Sequence, residues 1–97
     1  MRKVDPAELN ERTRFYIQDR DEFQCFNCGE NPKEIIYLQV YPKLMHEDNI
    51  VVCCITCANL NHSWWKQGDL YKVAQKYLVD KEIDISRLRE NAKNSYM

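Results

Sequence analysis

Two cysteine pairs constrain this chain more than any other feature. They are Cys25-Phe26-Asn27-Cys28 and Cys54-Ile55-Thr56-Cys57, separated by 25 residues. Two C-x-x-C steps spaced in this general way read as one four-thiolate zinc site. Zinc takes four ligands tetrahedrally, and a closed set of four thiolates leaves no open position for catalysis. The site is therefore expected to be structural, with Cys25, Cys28, Cys54 and Cys57 as ligands of one Zn(2+). With 97 residues the chain is long enough for a single domain, 1–97, whose small core the metal supplements.

Composition narrows the class further. Hydrophobic residues make up 44% and charged residues 30%, with two Gly and three Pro, which is ordinary for a globular chain and unlike a disordered one. The formal net charge of -1 gives no support for strong non-specific binding to a phosphate backbone. Residues 1–65 carry 7 basic against 10 acidic side chains, and residues 66–97 carry 7 against 5, so the C-terminal third is mildly basic. The start, Met1 to Pro6, lacks an apolar stretch, and the run Ile50 to Ile55 is too short to span a bilayer. The expectation is a cytoplasmic, reducing location with no membrane partner, where cysteines serve metals rather than disulfides. The fifth cysteine, Cys53, is expected to be a buried thiol on a strand.

Along the chain, Asp5-Pro6-Ala7-Glu8 is a helix start, with Asp5 capping and Glu8 closing a capping box. Leu9, Thr13, Tyr16 and Ile17 extend it over about residues 6–19. Gly29, directly after Cys28, permits the tight turn that a zinc knuckle needs. Ile35 to Tyr41 reads as a strand, with Ile36, Leu38 and Val40 on one face and Ile35, Tyr37, Gln39 and Tyr41 on the other. Pro42 ends it, and Ile50 to Cys54 forms the second strand of an antiparallel hairpin. Thr56 caps a helix from about Cys57 that carries Ala58, His62, Trp64 and Trp65. Gly68 reads as its stop and Asp69 as a new cap, followed by the stripe Leu70, Val73, Ala74, Tyr77 and Leu78. Asp84 or Ser86 caps a last helix. The fold class is thus a small zinc-bound α+β domain: helix, knuckle, β-hairpin and helix, then C-terminal helices.

These residues in this order resemble the HNH endonuclease family in its zinc-bearing form, a ββα-metal, treble-clef-like scaffold. The resemblance runs from about Arg14 to His62, with 63–97 as a helical extension. It is carried by Arg20-Asp21-Glu22-Phe23-Gln24-Cys25-Phe26-Asn27-Cys28-Gly29, by Leu38-Gln39-Val40, and by Asp48-Asn49-Ile50 leading to Cys54-Ile55-Thr56-Cys57. The family places an aspartate–histidine or histidine–histidine pair after the first strand, where this chain has Tyr41-Pro42. It places histidine or asparagine after the second cysteine pair, where this chain has Ala58. Cleavage needs a cation to stabilise the phosphate and a base to activate water, so the resemblance implies a scaffold whose catalytic positions have degenerated.

Three functions follow from that resemblance. The first is a non-catalytic HNH-like module binding a protein or nucleic-acid partner, an adaptor or inhibitor of the kind found in phage or mobile elements. Trp64, Trp65, Lys72 and Lys76 are its candidate contacts. The second is a divergent nuclease with a second divalent cation at a relocated site of His46, Asn49 and His62. The third is a zinc-stabilised DNA-binding regulator. Each candidate also has a plainer reading. His46 and His62 suit a polar surface, Asn49 can bond backbone across its loop, and Lys72 and Lys76 suit a solvated helix face. Trp64 and Trp65, about 100° apart on a helix, cannot both bury on one flat face. Tyr37 and Tyr41 offer either a stacking platform or packing under the first helix.

Overall fold

The structure is a computed structural model that describes residues 1–41, 44–60 and 67–94. A short strand, β1 (Arg2–Val4), opens the chain. It is followed by a 3-10 turn, Pro6–Glu8, and the helix α1, Glu11–Asp21. Strand β2 (Ile36–Gln39) and strand β3 (Ile50–Cys53) follow, then α2 (Ile55–Leu60), α3 (Gln67–Asp80) and α4 (Ile85–Asn94). The sheet is antiparallel in the order β1-β2-β3, with Leu38 opposite both Lys3 and Val51. Among the described residues, no helix is long and apolar enough to cross a membrane.

The α+β class and the hairpin agree with expectation, and four local features differ. Strand β1 is an addition: three residues carry too little periodicity to read as a strand, and only pairing with β2 makes them one. The expected helix over 6–19 divides. The Asp5–Glu8 capping box is present, with the Asp5 carboxylate accepting from Ala7 N–H and the Glu8 carboxylate from Asp5 N–H. The turn it starts ends at Leu9, which leaves helical geometry and buries. Asn10 then caps α1 by accepting from Thr13 N–H at 2.8 Å. Helix α2 begins at Ile55, ahead of Thr56, because Cys54 itself supplies the cap: its sulfur accepts the Cys57 N–H. Gly68 and Asp69 lie inside α3 and do not mark a boundary. The expected cap at Asp84 is met, its carboxylate accepting from Arg87 N–H at 3.2 Å.

The sheet divides the core into two faces. Val4, Leu9, Ile17, Tyr37, Ile50 and Val52 pack beneath α1. Leu38, Val40, Val51 and Cys53 pack on the opposite face with Cys25, Phe26, Cys57, Leu70, Ala74, Leu78, Leu88 and Ala92. The alternation along β2 and β3 is the ordinary two-residue period of a strand buried on both sides. Tyr37 packs under the first helix as expected, and its hydroxyl accepts from Gln18 Nε2. Tyr41 does not share its face. The strand ends at Gln39, the chain bends, and Tyr41 enters the other cluster edge-on to Tyr71. The two tyrosines therefore do not form a platform.

Strand β3 is the sheet edge beneath α1, and its outward backbone groups are satisfied without another strand. Arg20 donates to Ile50 C=O, Asp21 accepts from Val52 N–H, and Phe26 N–H donates to Val52 C=O. An uncovered edge would be a template for aggregation, and here a buried ion pair covers it. Arg20 and Asp21 bond twice, at 2.7 and 3.0 Å, with side-chain exposures of 9% and 0%. Tyr77 on α3 donates to Asp21 Oδ1 at 2.7 Å, so one carboxylate joins α1, β3 and α3. Burial, together with that bond, raises the pKa of the Tyr77 phenol above its usual value. Asp21→Asn should leave the Arg20 guanidinium buried beside a neutral partner and cost about 3–5 kcal/mol. A denaturation midpoint lowered at unchanged slope checks this.

Candidate metal centre

Each cysteine pair is delivered by a different local device. After α1, Glu22 and Phe23 both take left-handed backbone (φ 53° and 58°), which turns the chain out of the helix toward Cys25. Cys25 N–H then donates to Glu30 C=O, and Gly29 N–H returns to Cys25 C=O at 2.9 Å. That closure requires positive φ at Gly29 (77°), a conformation any other residue would adopt under strain. The second pair spans the junction of β3 and α2, where Cys54 is the cap and Cys57 lies in the first turn.

The two devices bring the four predicted ligands together. The Sγ atoms of Cys25, Cys28, Cys54 and Cys57 all lie within 4.8 Å of one another, close enough to hold one metal ion. Zinc–thiolate bonds of about 2.3 Å place two corners of a tetrahedron about 3.8 Å apart. Cys28 Sγ and Cys54 Sγ stand at 3.7 Å, so the donor set fits such an ion. Cys25 and Cys57 are buried and Cys28 is exposed.

Burial and neighbouring donors act in opposite directions on the thiols. Cys25 is held down to about 4, first by a bond from the Cys53 thiol and, against burial, by the amides of Cys28, Cys54 and Asn27. Burial pushes Cys57 up to about 12, although Asn27 Nδ2 donates to its sulfur at 3.3 Å. Like charges disfavour one another, so crowded sulfurs resist ionising together. A coordinated divalent cation reverses this and deprotonates its thiols outright. Cys53 is fully buried as expected, and its thiol is raised by bonding to Cys25.

The other candidates are dispersed. Asn49 is 0% exposed and its amide is occupied by backbone: Oδ1 accepts from Tyr41 N–H, and Nδ2 donates to Tyr41 C=O and Leu44 C=O. It closes the loop between β2 and β3. His46 is exposed, caps the 3-10 turn Glu47–Asn49 through Nδ1, and lines a cleft of about 470 Å³ with Tyr16, Asp48, Lys81 and Arg87. Lys72 and Lys76 are exposed on α3. Pro42, His62, Trp64 and Trp65 lie outside the described residues.

Sequence reasoning missed three contributors. Asn27 bonds a ligand sulfur, and Asp21 and Tyr77 tie the elements around the centre. Arg20-Asp21 stands in the quoted motif, but an adjacent opposite pair at a helix end gives no sign of burial. The chain matches no protein-family model, no curated protein and no solved structure.

Two outcomes are expected. Cys25→Ser should abolish stoichiometric metal uptake and with it the cooperative thermal transition, because binding energy at such centres is folding energy. Elemental analysis and calorimetry on the same sample check it. Asn49→Ala should remove three hydrogen bonds, leave the N–H and C=O of Tyr41 without their partner while Leu44 C=O keeps Gln39, and cost about 2–4 kcal/mol at roughly 1 kcal/mol per lost bond, with metal content unchanged.

Proposed function

We propose that this chain is a non-catalytic, zinc-binding module on an HNH-like scaffold, and that it acts by docking to a protein or nucleic-acid partner as an adaptor or inhibitor. The observation that carries this reading is the four-sulfur cluster formed between the Gly29 turn and the start of α2. A thiolate-only set suits zinc, and four protein ligands leave no position for substrate or water. When bound, the ion supplies a cross-link between the two halves of the chain.

Three features of the residues support the absence of nuclease chemistry. Tyr41, where the family has its cation ligand, is 3% exposed, and its hydroxyl accepts from Gln75 Nε2. Ala58, where the family has histidine or asparagine, is 0% exposed and has no donor atom. Asn49, the one member of the family's trio at its place, spends both amide ends on backbone. The order β2, β3, α2 around the cysteines is the part of the arrangement that favours the HNH-like reading over an unrelated zinc scaffold.

Metal-loaded protein incubated with supercoiled plasmid and magnesium, manganese or nickel should leave the plasmid intact. Cleavage that disappears in His62→Ala would overturn the non-catalytic reading in favour of the divergent nuclease. A gel shift that weakens steeply with salt identifies the nucleic-acid class of partner and the regulator role. Co-purification of a protein partner without DNA affinity identifies the adaptor or inhibitor.

A further inference from the structure

Three of the four candidate ligands belong to one face of the two-faced core, and the fourth, Cys28, is exposed beside them. The cluster that contains Cys25, Cys54 and Cys57 also contains Leu70, Ala74 and Leu78 of α3 and Leu88 and Ala92 of α4. Among the described residues, the cluster beneath α1 contains no cysteine and no residue of α3 or α4. A single residue connects the metal loop to the helix pair most directly. Phe26 stands between Cys25 and Asn27, and its ring packs edge-on to Tyr77 at 6.2 Å between centroids. Tyr77 is fixed in turn by its bond to Asp21, and Lys81 lies over its outer ring face at 5.5 Å. Phe26 has little freedom to move independently, since its own N–H is bonded to Val52 C=O in β3.

This division has an energetic consequence. Holding the four sulfurs at one centre fixes the loop from Cys25 to Cys28, and hence Phe26. Docking α3 fixes Phe26 from the other side. Two events that order the same residue favour each other, and such coupling is reciprocal by thermodynamic necessity. The residues beneath α1 share no side chain with either event.

We propose that the α3–α4 pair is a metal-sensing element: its docking and metal retention at the four cysteines are coupled through Phe26 and Tyr77. The proposal rests on the metal-centre reading above and assigns that centre a regulator.

The test compares the two faces. Zinc-loaded protein is mixed with an excess of a chromophoric chelator, and the rate of zinc transfer is followed for four proteins: the unsubstituted chain, Tyr77→Phe, Leu78→Ala and Ile17→Val. Amide exchange of residues 67–94 is followed in the same loaded samples. Tyr77→Phe keeps the ring and removes only the bond to Asp21, so it remains testable if Leu78→Ala fails to fold. The expected result is zinc transfer at least about fivefold faster in Tyr77→Phe, at the lower end of ordinary coupling. Exchange at 67–94 should rise in parallel, while Ile17→Val transfers zinc within about twofold of the unsubstituted rate. Equal effects from both faces, or an unchanged rate in Tyr77→Phe with increased exchange at 67–94, overturns the coupling while leaving the metal centre in place. A chain that takes up no zinc overturns the metal centre and the coupling together.

Discussion

Four thiols can ionise within 4.8 Å of one another only around a cation, and the rest of this structure is arranged to create that crowding. Neither half of the ligand set is local to the other. One pair follows α1 on a glycine turn, and the other straddles the end of β3 and the first turn of α2. The hairpin β2–β3 places them side by side, so the centre forms only when the sheet does. The four sulfurs are therefore brought within reach of one another by the same folding that builds the sheet. For a 97-residue chain this matters, because net stability is about 5–15 kcal/mol. A centre of this type contributes on that same scale.

A second constraint comes from the sheet edge. Strand β3 is buried along its whole length, yet among the described residues no strand flanks its outer side. Its carbonyl and amide groups there need partners in a place that water does not reach. The Arg20–Asp21 pair provides them and also accepts Tyr77 from α3. Burying two charges is costly, and each bond to backbone offsets part of that cost. The same network sets the direction in which α1 leads into the metal loop. Its two consecutive left-handed residues, Glu22 and Phe23, are tolerated because Phe23 N–H and Gln24 N–H still bond back to the helix.

Much of this was legible before any coordinates. The clustering of Cys25, Cys28, Cys54 and Cys57 was legible from spacing, because two C-x-x-C steps are the pattern of a thiolate metal site. The hairpin follows from β-branched runs, and the buried Cys53 from its place within one. Boundaries were less legible. The Asp5 capping box is genuine, yet it caps only three residues, since Leu9 gains more from the core than from a further helical turn. Thr56 has the chemistry of a cap, but Cys54, whose sulfur accepts the Cys57 N–H, takes that role. Strand β1 carries no pattern of its own and exists through its partner.

The sequence by itself determined which atoms can hold a metal and that Tyr41, Pro42 and Ala58 offer neither histidine nor carboxylate. Both depend on residue type and spacing, which need no knowledge of neighbours. Only the tertiary structure decided that Tyr37 and Tyr41 part to opposite faces, that Asn49 holds backbone, and that Asp21 is a hub of three elements. The reason is burial. A polar side chain acquires its role from whichever unsatisfied groups surround it once water is excluded, and those groups come from distant parts of the chain.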